Sequence, residues 1–84
     1  MLIEPGKVAI VRFPRDALPI PAVALIRAVR RDKALVSKAT GRRRPGGGWA
    51  RPRWVPLADI AREATARERV VGMPIDPIPP RVAA

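Results

Sequence analysis

Arg42-Arg43-Arg44, followed by Pro45, three glycines, Trp49, Arg51 and Arg53, is the run whose residue types and spacing most suggest chemistry. Arginine keeps its charge at any relevant pH and offers a planar fork of N–H donors that fits phosphate oxygens. Glycines let such a fork adapt to the contour of a partner. The run sits in a wider basic window that adds Arg27, Arg30, Arg31, Lys33 and Lys38. Between Arg27 and Arg53 ten cations face one acid, Asp32, and the window carries nine of the formal net charge of +10. So lopsided a segment calls for a polyanion, and nucleic acid is the partner it suits best. The expected contact residues are Arg31, Lys33, Lys38, Arg42, Arg43, Arg44, Trp49, Arg51 and Arg53. If six cations each meet a phosphate, affinity for duplex DNA falls with salt at a log–log slope of about −5. A solvated basic loop without a partner is the plainer alternative.

The tryptophans divide. Trp49, between glycines and arginines, reads as a residue that stacks on a base. Trp54, beside Val55 and Leu57, reads as core. Five positions apart, they fall on opposite sides of an ideal strand. With no Asn or Gln, one serine and two threonines, base-edge reading is poorly equipped, so backbone and shape recognition should dominate. DNA and RNA are both open as targets.

Other chemistry is thinly supplied. The chain has no His, Cys or Tyr, the usual bases, nucleophiles and metal ligands. Asp59 and Glu63, four apart in a segment of helical spacing, read as surface partners of Arg62 and Arg67. No catalytic residue, metal site or cofactor is assigned. No apolar run approaches the roughly 20 residues of a membrane span. The N-terminus, with Glu4 and Pro5-Gly6, lacks the pattern of a secretory signal. A cytoplasmic protein without membrane contact is the expectation. Its size and composition suggest an accessory or regulatory role, and a phage, plasmid or other mobile element as its setting.

These residues need a scaffold. Lys7 to Phe13 is rich in β-branched and aromatic residues, follows the Pro5-Gly6 turn and closes at Pro14, which predicts a strand. Three prolines from Pro14 to Pro21 predict a loop. Ala22 to Arg30 and Ala34 to Ala39 predict a hairpin turning at Arg31-Asp32-Lys33. Trp49 to Val55 resumes an extended path, kept to a sheet edge by Pro52. Leu57, Ile60, Ala61 and Ala64 recur at helical spacing, so a helix is predicted over Leu57 to Arg69, with Gly72 as its stop. Residues 73–84 hold four prolines and predict an extended or disordered tail, open to a protein partner or a second copy.

Residues Pro5 to Val11 resemble the turn-and-strand opening of SH3-like small barrels. Trp54-Val55-Pro56-Leu57-Ala58-Asp59-Ile60 is similar to their closing strand and helical turn. The resemblance spans roughly residues 5–60 and implies binding of nucleic acid or peptides through loops and one barrel face. Within that fold, Gly6 to Pro14 and Pro21 to Ile26 are similar to the first two strands of MazF/PemK-type toxins, which cleave RNA, and Thr40 matches their threonine. Ile20 stands where that family carries a catalytic arginine. The expected architecture is thus mainly β: an SH3-like barrel of about five short strands with a short C-terminal helix (residues 1–72) and a Pro-rich tail (73–84). The leading function is nucleic-acid binding. A degenerate ribonuclease and a protein-interaction module are the alternatives.

Overall fold

The computed structural model describes residues 2–40 and 48–80. It is mainly β, with five antiparallel strands: β1 (Val8–Val11), β2 (Ala22–Arg30), β3 (Lys33–Lys38), β4 (Arg53–Pro56) and β5 (Ile60–Glu63). A 3-10 turn (Leu57–Asp59) joins β4 to β5, and one short helix, α1 (Ala66–Val71), follows. The sheet order is β4-β3-β2-β1-β5, so the chain meanders through four strands and returns to the open side of the first. No helix among the described residues is long and apolar enough to cross a membrane.

β1 is buried at all four positions, the mark of a strand covered on both faces rather than one. Its two faces feed two cores. The inner core holds Ala9, Val11, Phe13, Ala24, Ile26, Ala34, Val36, Val55 and Ile60. The outer core holds Val8, Ile10, Val23 and Ala64, with Leu25, Ala39, Trp49, Ala61 and Ile78 packed against it. Each wholly buried aliphatic side chain, such as Ile10 or Ile26, stabilises the fold by roughly 1.5–3 kcal/mol.

The β2–β3 hairpin turns at Arg31-Asp32, with Arg31 in the left-handed region at φ 54°. A register shift sets in between Ile26 and Ala28, with Arg27 as the extra residue. Before the bulge the even-numbered residues of β2 face the inner core; after it they face outward. Ile26 can therefore be buried while Ala28 and Arg30 lie on the outer side, opposite Leu35 and Lys33. Arg27 donates from Nε to the hydroxyl of Ser37 at 2.7 Å, which satisfies that buried serine.

The helix predicted over Leu57 to Arg69 does not form. Its first half is the 3-10 turn and β5, and β5 pairs with β1 through Ala9↔Glu63, Ile10↔Arg62 and Val11↔Ile60. Helical spacing misled because this strand also has apolar neighbours on both faces: Ile60 enters the inner core, while Ala61 and Ala64 meet the outer one. Pairing along an otherwise open β1 outweighs local periodicity. The carboxylates of Asp59 and Glu63 accordingly do not share a helix face. Glu63 instead pairs with Lys7 at 3.1 Å.

The true helix starts at a capping box. The Thr65 hydroxyl accepts from the Glu68 N–H, and Glu68 accepts in turn from the Thr65 N–H. It ends at Gly72, which takes φ 81° as the left-handed cap. Glu68 is wholly buried and also binds the next segment. It accepts from Arg62 at 2.6 and 2.8 Å and from the backbone N–H groups of Ile75 and Asp76. Arg62 donates onward to the carbonyls of Asp76 and Pro77, and Arg12 donates to that of Pro79. Through this clasp the segment 74–80 lies along the sheet, and Ile78 covers the outer core.

Candidate functional site

Alternation along β4 decides which side chains reach solvent. Val55 pairs with Ala34 and points into the inner core, so Trp54 points the other way, paired with Leu35. Trp54 is 47% exposed, although its apolar neighbours predicted core. Val55, the next residue, lies on the opposite face, and Leu57 falls beyond the strand in the 3-10 turn. Trp49, expected to stack, is half-buried against the outer core and bridges to Ala39. The two indoles do take different surroundings, Trp49 the more covered and Trp54 the more exposed.

Trp54 stands between two hollows. On one side, a shallow one of about 230 Å³ is formed with Arg30 and Lys33, which face each other across the hairpin. On the other, a pocket of about 410 Å³ opens between β4 and the loop after β1. Arg12, Arg15, Lys33 and Arg53 bring cations to it, and Phe13 and Asp16 line its side nearer that loop. The proline-rich loop 12–21, far off in sequence, thus faces the end strand of the sheet.

Beside this pocket, two cations close the inner core. Lys38 and Arg53 both follow the inward-facing rows of β3 and β4. Their charged groups lie over the Phe13 ring, 4.3 and 4.2 Å from its centroid. Asp16 joins them: Lys38 Nζ donates to Oδ2 at 2.6 Å, and Arg53 donates to both oxygens at 2.8 and 2.7 Å. The hydrogen bonds from Arg53, then from Lys38, lower the Asp16 carboxyl to about 2, outweighing the opposing effect of partial desolvation.

Of the residues predicted to bind, Lys33 and Arg53 meet at the pocket. Lys38 stands with Arg53 on Asp16. Arg31 and Arg51 are exposed, and Arg42, Arg43 and Arg44 lie outside the described residues. Flanking those residues, the Thr40 N–H and hydroxyl both donate to the Gly48 carbonyl, at 2.9 and 3.1 Å. Arg12, Phe13, Arg15 and Asp16 escaped the sequence reading, which counts Arg30 only in the basic window and places Trp54 in the core. The period-2 pattern of Arg53-Trp54-Val55-Pro56 could have revealed Trp54; only the tertiary fold brings residues 12–16 beside it. The chain matches no protein-family model, no curated protein and no solved structure.

Proposed function

We propose that this protein is a small basic nucleic-acid-binding module that takes a single strand, DNA or RNA, across the β4 end of an SH3-like barrel. The observation that carries the reading is Trp54: a half-exposed indole on an end strand, with cations lining the hollows to either side. An unstacked base would lie on the indole, while Arg30 and Lys33 on one flank and Arg12 and Arg15 on the other would meet the phosphates. Stacking favours a single strand, because a base inside a duplex offers no free face. The return of β5 to β1 after a 3-10 turn supports the barrel, since it leaves β4 and β5 as the ends of a strongly curved sheet. Recognition would be of backbone and stacked bases, with little sequence preference.

The test is a fluorescence-anisotropy titration of labelled single-stranded and duplex oligonucleotides across a range of salt. Trp54→Ala should weaken single-strand binding by about tenfold, within the 1–3 kcal/mol that one stacked base contributes, and should leave the thermal melt almost unchanged. Equal affinity of the variant and the native chain for the single strand would overturn the reading.

A further inference from the structure

We infer that the two cations over Phe13 form a phosphate subsite, occupied in this structure by the chain's own Asp16. The inference rests on the nucleic-acid reading above and extends it to where one phosphate lands. Lys38 and Arg53 converge on one ring, and like charges that close repel unless an anion lies between them. Asp16 is that anion, and one carboxylate between two cations leaves the cluster positive. A phosphodiester offers the same pair of acceptor oxygens as a carboxylate, and an arginine fork accepts either. Phe13, Asp16 and Arg53 line the pocket that Trp54 also lines, so a strand crossing the β4 edge from that indole would pass this cluster.

Asp16 is carried by a segment that can release it. The loop between β1 and β2 lies outside the strand ladder. Its start is tied down by the bond from the Arg12 N–H to the Asp59 carbonyl at 2.7 Å; beyond that, backbone bonds run from the Asp16 N–H to the Phe13 carbonyl and from the Ile20 N–H to the Leu18 carbonyl. Leu18 and Ile20 are exposed rather than packed. Phosphate can therefore exchange with the carboxylate while the sheet stays whole. Asp16 acts as an internal competitor that sets how tightly the nucleic acid is held.

The test is a titration of single-stranded oligothymidylate against the native chain and its Asp16→Asn, Asp32→Asn and Asp16→Glu variants over a range of salt. Asp16→Asn should tighten binding by about fivefold to tenfold and steepen the log–log salt slope by about 0.7 for the added phosphate contact. Asp32→Asn removes the same charge from the hairpin turn, and screening should hold its effect below about twofold, with the slope unchanged. Asp16→Glu keeps the competitor and should gain nothing; a gain there would trace the effect to a loosened loop and overturn the inference. In a Lys38→Met background, Asp16→Asn should bring no gain, a coupling that a general charge effect would not produce. If the Asp16→Asn and Asp32→Asn variants behave alike while Trp54→Ala still weakens binding, the subsite is refuted and the nucleic-acid reading stands. Binding by Asp16→Asn alone would support the subsite, and no binding by any form would refute both.

Discussion

Replacing Glu68 with Gln tests the clasp that holds helix, strand and C-terminal segment together. The carboxylate is wholly buried and accepts five hydrogen bonds: two from Arg62 and one each from the backbone N–H groups of Thr65, Ile75 and Asp76. Glutamine keeps the shape but removes the charge and turns one acceptor into a donor among donors. Breaking one side of a buried ion pair costs about 3–5 kcal/mol. The low end applies here, because Arg62 keeps the carbonyls of Glu63, Asp76 and Pro77 as acceptors at 3.1, 2.8 and 3.0 Å. A loss of about 3 kcal/mol is a large part of the roughly 4–12 kcal/mol expected for a domain of this length. It should lower Tm by about 12–24 °C. Circular-dichroism melts at neutral pH measure the loss, and amide exchange at Ile75 and Asp76 locates it: both should lose protection ahead of β1 and β2.

The acid limb gives the same experiment a second reading. Arg62 first, then the three backbone N–H groups, hold the Glu68 carboxyl well below the usual carboxylate range against the opposing effect of burial. A carboxyl depressed on folding stabilises the native state above its unfolded value, near 4.3, and that contribution fades as pH falls toward the folded value. The gap between native chain and Glu68→Gln should therefore be full at pH 7 and narrow steadily below about pH 4. Asp16 titrates in part of that window but does so in both forms and drops out of the difference. A gap under about 1 kcal/mol at pH 7, or one independent of pH, would refute the assignment of Glu68 as the clasp.

Two further substitutions probe α1. Thr65→Ala removes the hydroxyl half of the capping box and should cost about 1 kcal/mol in a denaturant melt, with the slope unchanged. Gly72→Ala should cost about 1 kcal/mol as well, from the left-handed backbone alone. The added Cβ would meet Ala39 Cβ at 3.9 Å, an ordinary contact, so a much larger loss would indicate rearrangement rather than backbone strain.

Much of the sheet was legible because its signals are local. β1 is an apolar β-branched run bounded by Pro5-Gly6 and Pro14, and the hairpin is two such runs around a charged turn. β5 was hidden because a strand buried on both sides can show apolar residues at helical spacing, as Ile60, Ala61 and Ala64 do. Thr65-x-x-Glu68 is a helix-start signature in plain view, but a helix already assigned upstream masked it. The bulge at Arg27 has no clear mark in the sequence, yet it decides that Arg30 shares a face with Lys33. The candidate site is mostly a product of distance along the chain. Asp16 meets Arg53 across 37 residues, and no pattern in either segment announces the pairing. Charge counting found the basic window; it could not show that Lys38 and Arg53 already share a carboxylate.

The way residues 74–80 lie on the sheet bears on how this protein can be handled. Ile78 is a plug in the fold, so cutting the chain after Gly72 would strip one of the side chains that cover the outer core and invite molecules to stick to one another there. Self-association of such a shortened form would report a wound in the fold rather than a docking function of the missing piece. Fusions and affinity handles are best joined beyond Pro80, or at the other terminus, where the plug keeps its seat.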